Sequence, residues 1–199
     1  LKIAGNDARG LRRPRGSTEE VNMIVILMGV SGCGKTTIGQ ILSGKLGWPL
    51  FDADEFHSAA SIQKMRNGIA LEDADRWPWL DRMNAMLREH EARGESVLLA
   101  CSALKQVYRE RLSKGTAQIR WVHLKGGFEL IRKRLEARKD HYMKAGLLES
   151  QFATLEEPTD ALVVDIDDTP DSIADSILKT LLTAEAQRRR GNAKESDTI

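Results

Sequence analysis

Residues 23–37 read Met-Ile-Val-Ile-Leu-Met-Gly-Val-Ser-Gly-Cys-Gly-Lys-Thr-Thr. The first six residues are all apolar and three of them are β-branched, which is typical of a fully buried strand. Residues 29–36 then fit the pattern G-x-x-x-x-G-K-[ST], and apolar residues at helical spacing follow. A strand, a glycine-rich turn and a helix in this order predict a loop that cradles phosphate groups.

The loop carries the groups that bind a nucleoside triphosphate with Mg²⁺. Its glycines let several backbone N–H groups point at one phosphate, and the helix N-terminus adds about half a positive charge. Lys35 is expected to reach the β- and γ-phosphates, and the Thr36 hydroxyl is expected to ligate Mg²⁺. The predicted triphosphate-binding residues are Gly29, Val30, Ser31, Gly32, Cys33, Gly34, Lys35, Thr36 and Thr37.

Outward from the loop, short apolar segments alternate with helical patterns. Further strands are predicted at 49–52, 96–101, 118–124 and 162–166, and helices at 36–46, 58–65, 79–93, 102–115, 128–139 and 171–182. Five strands separated by helices predict an α/β fold, a three-layer sandwich whose parallel sheet has helices on both faces. Met65 is expected to face inward, Ser102 to cap the fourth helix, and Thr169 to cap the last one.

Composition sets limits on the class of protein. The 199 residues suit one domain, and 41% hydrophobic with 30% charged residues describes an ordinary globular chain. The net charge of +1 argues against a nucleic-acid partner bound by bulk charge. The longest apolar run, residues 23–29, is too short to cross a membrane. Two cysteines give no disulfide framework, so a cytoplasmic location is predicted.

The chain is predicted to divide into a catalytic body and two tails. Residues 1–22 and 184–199 are basic and lack an apolar pattern, so both are expected to be disordered. Residues 23–183 hold all the predicted strands and are expected to form the domain. We expect the first 22 residues to be an extension that the fold does not need.

Two acids and a histidine, Asp52, Asp54 and His57, come at the end of the second predicted strand. In extended backbone Asp52 and Asp54 project to the same side, and this strand end lies at the ligand-binding edge of a parallel sheet. One carboxylate can hold a Mg²⁺-bound water while the other accepts the proton of an attacking hydroxyl. We assign Asp52 to the water-mediated metal site and Asp54 to the base, with His57 placed to hydrogen-bond a polyol. The alternative is a pair of solvated acids in a turn.

A strongly basic segment, residues 132–139, follows the fourth predicted strand. Such segments are usually solvated helix faces. In a small phosphate-loop kinase, however, a lid closes at this place, and an arginine there neutralises charge on the transferred group. Arg138 is the best-placed candidate and Arg134 the second.

Seven segments in order carry a resemblance to a known family. They are MGVSGCGKTT (28–37), DADEFH (52–57), KMRNGIALEDADRWPWL (64–80), ACSALKQVYRERL (100–112), HLKGGFELIRKRLEARKDHYM (123–143), LLESQFATLEEP (147–158) and VVDID (163–167). In these segments the chain resembles the gluconokinases of the thermoresistant type, phosphate-loop kinases related to shikimate kinase. The ACSALK and SQF-x-TLE patterns are more specific than the phosphate loop.

The resemblance implies transfer of the ATP γ-phosphoryl group to the 6-hydroxyl of D-gluconate, with a sheet order of 2-3-1-4-5. It also implies a mobile substrate region at 55–93, a small lid near 134–146 and a homodimer. Asp54 matches the substrate-facing acid and Arg138 the lid arginine, while Arg76 and Lys105 lie in segments that face gluconate. An arginine can bind a carboxylate through two parallel hydrogen bonds; the alternative for Arg76 and Lys105 is a buried ion pair.

Two other functions stay open at this point. One is a kinase for another small hydroxylated substrate, similar to shikimate kinase or to a nucleotide kinase. The other, from a different class, is an ATP-binding regulatory module that binds nucleic acid through its basic tails. The acids after the second strand and the basic lid segment favour the gluconate kinase.

Overall fold

Five parallel strands form the centre of the protein, in the order β2-β3-β1-β4-β5. They are β1 (Ile24–Met28), β2 (Leu50–Asp52), β3 (Val97–Ala100), β4 (Ile119–Lys125) and β5 (Leu162–Asp165). The computed structural model describes residues 22–117, 119–137 and 145–196. The predicted fold class and strand order are confirmed.

Helices cover both faces of the sheet. They are α1 (Lys35–Leu46), α2 (Ala59–Arg66), α3 (Asp73–Ala92), α4 (Gln106–Ser113), α5 (Phe128–Glu136), α6 (Ala145–Thr154) and α7 (Pro170–Ser196), with a 3₁₀ turn at Ala53–Phe56. Side chains of β1 alternate between two cores: Val25 and Leu27 pack with α1, α5 and α7, whereas Ile24 and Ile26 pack with α3 and α4. Because β1 is buried on both faces, its sequence is an unbroken apolar run.

The helix predicted at 79–93 begins earlier, at Asp73. Pro78 lies inside it, although a proline usually ends or kinks a helix. A capping box ahead of the proline marks the start of the helix, where Asp75 Oδ2 accepts the N–H of Glu72 at 3.0 Å. The longer helix brings residues 73–76 into one rigid element.

The prediction of a disordered tail at 184–199 is wrong for residues 184–196, which continue α7. Glu185 is only 5% exposed and pairs with Arg120 at 3.6 Å and with Arg188 at 3.1 Å. These contacts hold the basic end of the helix on the start of β4. Residues 1–21 of the predicted N-terminal extension, like residues 138–144 of the predicted lid, lie outside the described residues.

Of three smaller predictions from the sequence, one is confirmed and two are wrong. Thr169 does cap α7, since its Oγ1 accepts the N–H of Ser172 at 3.3 Å. Ser102 does not cap α4, which begins later with Lys105 at its N-cap, and Met65 is 44% exposed rather than inward. The short helix α6 had no counterpart among the predicted elements. None of the helices in the described ranges combines the length and apolarity that a membrane span requires.

Candidate active site

The loop between β1 and α1 has the backbone form that its glycines predict. Gly29, Gly32 and Gly34 have φ angles of 134°, 86° and 101°, a region that residues with a Cβ rarely adopt. Gly34 is the N-cap of α1, so the N–H groups of the first helical turn point out of the helix without intrahelical partners. The loop and the helix end therefore present donors to an anion.

Lys35 lies folded over this loop. Its Nζ donates to the carbonyl of Gly29 at 2.9 Å and to that of Val30 at 3.0 Å. The ammonium is thus held directly above the loop by neutral acceptors. A phosphate oxygen, which carries charge, is a stronger acceptor for it than either carbonyl.

The loop is packed tightly from one side. A Cβ on Gly32 would lie 2.7 Å from Leu135 Cγ and 3.1 Å from Ile131 Cγ2, both on α5. A Cβ on Gly29 would lie 2.8 Å from the carbonyl oxygen of Leu124 in β4. Both glycines are required by close approach as well as by their φ angles.

Thr36 and Asp52, predicted to serve one metal ion, lie in direct contact. Thr36 Oγ1 donates to Asp52 Oδ2 at 2.9 Å, and Asp52 Oδ1 accepts the N–H of Asp54 at 3.1 Å. Hydroxyl and carboxylate oxygens are the ligands that Mg²⁺ prefers, usually together with water and substrate phosphates. The donor set therefore fits Mg²⁺. In the ranges that the structure describes, no three His, Cys, Asp or Glu side chains converge on a protein-held metal site.

Asp54 stands at the carboxyl end of the sheet with its side chain 92% exposed. His57 Nε2 lies 4.0 Å from Asp54 Oδ1, and the His57 ring stacks on Trp79 at 4.7 Å and 3°. Trp79 Nε1 donates to the carbonyl of Ala53 at 2.7 Å, which fixes the stack beneath the 3₁₀ turn. Burial lowers the pKa of His57 below its ordinary value, against the opposing pull of Asp54. The imidazole is therefore neutral at pH 7 and able both to donate and to accept.

Lys105 is held by two residues that the sequence did not single out. Its Nζ donates to both carboxylate oxygens of Asp73 at 3.0 Å, and the Tyr108 hydroxyl donates to the same carboxylate. The Tyr108 hydrogen bond and then that of Lys105 lower the pKa of Asp73, and the Asp73 hydrogen bond raises the pKa of Lys105. The pair stays ionised at neutral pH. It is half-exposed rather than buried, so Lys105 remains accessible to a ligand.

Arg76 lies next to this pair, with its guanidinium carbon 5.6 Å from the centre of the Tyr108 ring. Its Nη2 donates to the carbonyl of Leu71 at 3.0 Å. Its Nε is buried and has no hydrogen-bond partner among the described residues. A buried guanidinium nitrogen without an acceptor is costly, so the protein's own groups leave the hydrogen-bonding capacity of Arg76 incomplete.

The residues from the different loops share one edge of the sheet. Leu27 of β1 and Asp52 of β2 both pair in register with Ala100 of β3, so the segments that follow these three strands leave the same edge of the sheet. Arg76 and Lys105 both lie against the Tyr108 ring, 5.6 and 5.3 Å from its centre. Burial raises the pKa of Cys101, at the end of β3, to about 12. Arg76 and Asp54 both act on His57. The phosphate loop, the acids and the Arg76–Lys105 cations thus lie around one site at the carboxyl ends of β1, β2 and β3.

Of the two candidate lid arginines, Arg134 lies among the described residues. Arg138 lies outside the described residues. Arg134 Nη2 donates to the carbonyl of Ile166 at 2.7 Å, so Arg134 ties α5 to the end of β5. The second candidate therefore has a structural contact in this conformation.

Comparison with known proteins gives consistent matches over most of the chain. Residues 31–182 match the sequence model of the shikimate kinase family. The thermoresistant gluconokinase of Escherichia coli (strain K12) is 38% identical over 169 residues, covering 83% of this chain and 97% of that protein. The gluconokinase of Gluconobacter oxydans (strain 621H) is 44% identical over 136 residues, covering 68% and 76%. The crystal structure of a gluconokinase from Sinorhizobium meliloti 1021 matches with a TM-score of 0.78 at 32% identity, covering 85% and 97%.

Proposed function

The chain belongs to the gluconokinases, within the shikimate kinase family, and from this we propose that it transfers the γ-phosphoryl group of ATP to the 6-hydroxyl of D-gluconate. The products are 6-phospho-D-gluconate and ADP. One observation carries the proposal to this chain's own residues: an exposed carboxylate, Asp54, follows β2 at the same sheet edge as the phosphate loop, and a pair of cations, Arg76 and Lys105, lies against Tyr108 just beyond β3. That arrangement suits an acceptor with a hydroxyl at one end and a carboxylate at the other.

The triphosphate is bound by the loop residues 29–37. The free amides of the loop and of the first turn of α1 bind phosphate oxygens, and Lys35 exchanges its two carbonyl partners for the β- and γ-phosphates. Thr36 and, through a water, Asp52 would hold Mg²⁺. When bound, the ion neutralises charge on the β- and γ-phosphates.

Gluconate is oriented by the opposite side of the site. Arg76 and the half-exposed Lys105, which lie against the same Tyr108 ring, bind the carboxylate. Neutral His57 hydrogen-bonds the hydroxyls of the sugar acid. Holding both ends of the acceptor places its terminal hydroxyl at the γ-phosphorus, which removes most of the entropic cost of the reaction.

In the transfer step the oxygen of the 6-hydroxyl forms a bond to the γ-phosphorus. The bond from that phosphorus to the β–γ bridging oxygen breaks, and ADP leaves with its electron pair. Asp54 accepts the proton of the hydroxyl as the new bond forms. Arg138 stays a prediction from sequence as the lid arginine, and so do the homodimer, the cytoplasmic location and the lack of a nucleic-acid partner.

A coupled assay for ADP release tests the proposal with gluconate, shikimate and nucleoside monophosphates as separate acceptors. We expect ADP release with gluconate but not with shikimate or a nucleoside monophosphate. The Lys35→Ala variant should release no ADP with any of the three acceptors. Lys45→Ala is the matched control, because Lys45 lies on the same helix but pairs with Asp175 at the surface. Turnover of shikimate or a mononucleotide without gluconate would overturn the proposal in favour of its alternative.

A further inference from the structure

Helix α6 touches the phosphate loop through Gln151, a side chain that the proposed mechanism does not use. Gln151 Oε1 accepts the backbone N–H of Ser31 at 2.7 Å, and Gln151 Nε2 donates to Ser31 Oγ at 3.0 Å. Both bonds go to the same residue, 120 positions away in the sequence. The carboxamide therefore fixes the backbone and the side chain of Ser31 together.

Ser31 occupies the part of the loop where this constraint matters. It lies between Val30, whose carbonyl accepts from Lys35, and Gly32, which packs against Leu135 of α5. The loop is thus held by apolar contact on one side and by two hydrogen bonds on the other.

The two helices that hold the loop are also tied to each other. Phe152, next to Gln151, packs edge-on against Phe128 of α5 with ring centroids 5.4 Å apart. This contact positions α6 and fixes where the Gln151 carboxamide can reach. The glutamine belongs to the SQF-x-TLE pattern, which none of the proposed steps explains.

We propose that Gln151 is a positioning residue for ATP: it holds Ser31 so that the remaining loop amides converge on the phosphates before the nucleotide arrives. Preorganised N–H donors need not rearrange when a charged phosphate binds, and their contribution to binding depends on the groups that hold them in place. Without the carboxamide, the Ser31 N–H and hydroxyl lose their partners and the loop gains freedom. The inference rests on the proposed function only in taking ATP as the ligand of the loop.

Direct binding of ATP, measured by calorimetry without gluconate, tests this role. We expect Gln151→Ala to weaken ATP binding about tenfold, as the loss of two hydrogen bonds of ordinary strength predicts. The KM for gluconate should stay unchanged. Glu149→Ala, an exposed position on the same helix, is the matched control and should bind ATP as the wild type does. An ATP affinity of Gln151→Ala within twofold of the wild type would overturn the proposal.

Gln151→Glu keeps the test decisive if the alanine variant fails to fold. A carboxylate can accept from both the N–H and the hydroxyl of Ser31, so the contacts and the melting temperature should survive. The added negative charge lies at the loop, so ATP binding should fall at least tenfold, and less at high salt. Because the contacts to Ser31 are kept, ATP affinity should recover to near the wild-type value at high salt, where the repulsion is screened, and a loss that persists there would overturn the proposal.

A double-variant cycle shows whether Gln151 acts through Ser31. Ser31→Ala removes one of the two bonds and should weaken ATP binding about threefold. Adding Gln151→Ala should bring the affinity to that of Gln151→Ala alone, whereas independent, multiplied effects would contradict the proposal. Because ATP binding is measured without gluconate, a failure here is distinct from a failure of gluconate turnover.

Discussion

Replacing Gly32 with alanine tests the packing of the phosphate loop most sharply. The new Cβ would lie 2.7 Å from Leu135 Cγ, 2.9 Å from Leu135 Cδ2 and 3.1 Å from Ile131 Cγ2. Ordinary carbon contacts begin at about 3.5 Å, so the overlap with Leu135 is about 0.8 Å. The residue must also keep a φ of 86°. The substitution therefore combines a steric and a backbone cost.

The two costs are of similar size. A left-handed backbone costs a residue with a Cβ about 1–2 kcal/mol, and overpacking a tight contact costs about 1–3 kcal/mol. Their sum, about 2–5 kcal/mol, is a large part of the 5–15 kcal/mol that typically stabilises a domain. The melting temperature should fall by about 4–20 °C. The KM for ATP should rise, because the loop must shift to relieve the contact.

Thermal unfolding followed by circular dichroism checks the prediction. Gly44→Ala is the matched control: Gly44 lies inside α1 with open space around its Cβ, so alanine should stabilise the protein by about 0.5–1 kcal/mol. In a Leu135→Ala background, Gly32→Ala should cost less, chiefly the backbone part of about 1–2 kcal/mol, because only the 3.1 Å contact with Ile131 remains. A wild-type melting temperature for Gly32→Ala, or an undiminished cost in that background, would refute the packing of the loop on α5.

Three further predictions concern the acceptor side of the site. Asp54→Asn should lower kcat by about 10²–10⁴-fold in steady-state assays while ATP affinity and melting temperature hold, since the side chain is 92% exposed; a normal kcat would remove Asp54 as the base. Lys105→Ala should raise the KM for gluconate at least about tenfold and leave the KM for ATP unchanged, and a change in the ATP value instead would place Lys105 elsewhere. Because burial lowers the pKa of His57, the unfolded chain takes up a proton at a higher pH than the folded protein does. The free energy of unfolding is therefore highest above pH 6.5 and decreases as the pH falls through the pKa of the folded state. His57→Phe keeps a ring on Trp79 and should flatten that decline in melting temperature between pH 8 and 5, whereas an identical slope would count against a neutral, buried His57.

The fold, the phosphate loop and the pairing of Thr36 with Asp52 could be predicted from local sequence. The phosphate loop is a contiguous pattern, and the run at β1 shows burial on both faces, so the sheet could be predicted. Asp52 and Thr36 could be paired because strand ends meet at a known edge of a parallel sheet. Each of these inferences depends on short-range spacing or on topology that the spacing dictates.

The rest depends on contacts between distant segments. Tyr108 is only three residues from Lys105, but nothing in that segment indicates that both side chains share Asp73, which lies on a different helix. Gln151 reaches Ser31 only because α6 packs on α5. Likewise, the sequence from residue 184 onward is typical of a charged, solvated stretch. Its packing on the fold is evident only from the ion pair between Glu185 and Arg120.

The position of the phosphoryl group in the product tests directly whether this protein phosphorylates the 6-hydroxyl of gluconate. Incubation of the protein with ATP, Mg²⁺ and gluconate, followed by ³¹P NMR with proton coupling, locates the transferred phosphoryl group. We predict a phosphate ester coupled to the two protons of a methylene group, as in 6-phospho-D-gluconate, and its absence in Lys35→Ala. A phosphate coupled to a single methine proton, as in an ester of a secondary hydroxyl, or ATP consumed with no phosphorylated gluconate, would contradict transfer to the 6-hydroxyl.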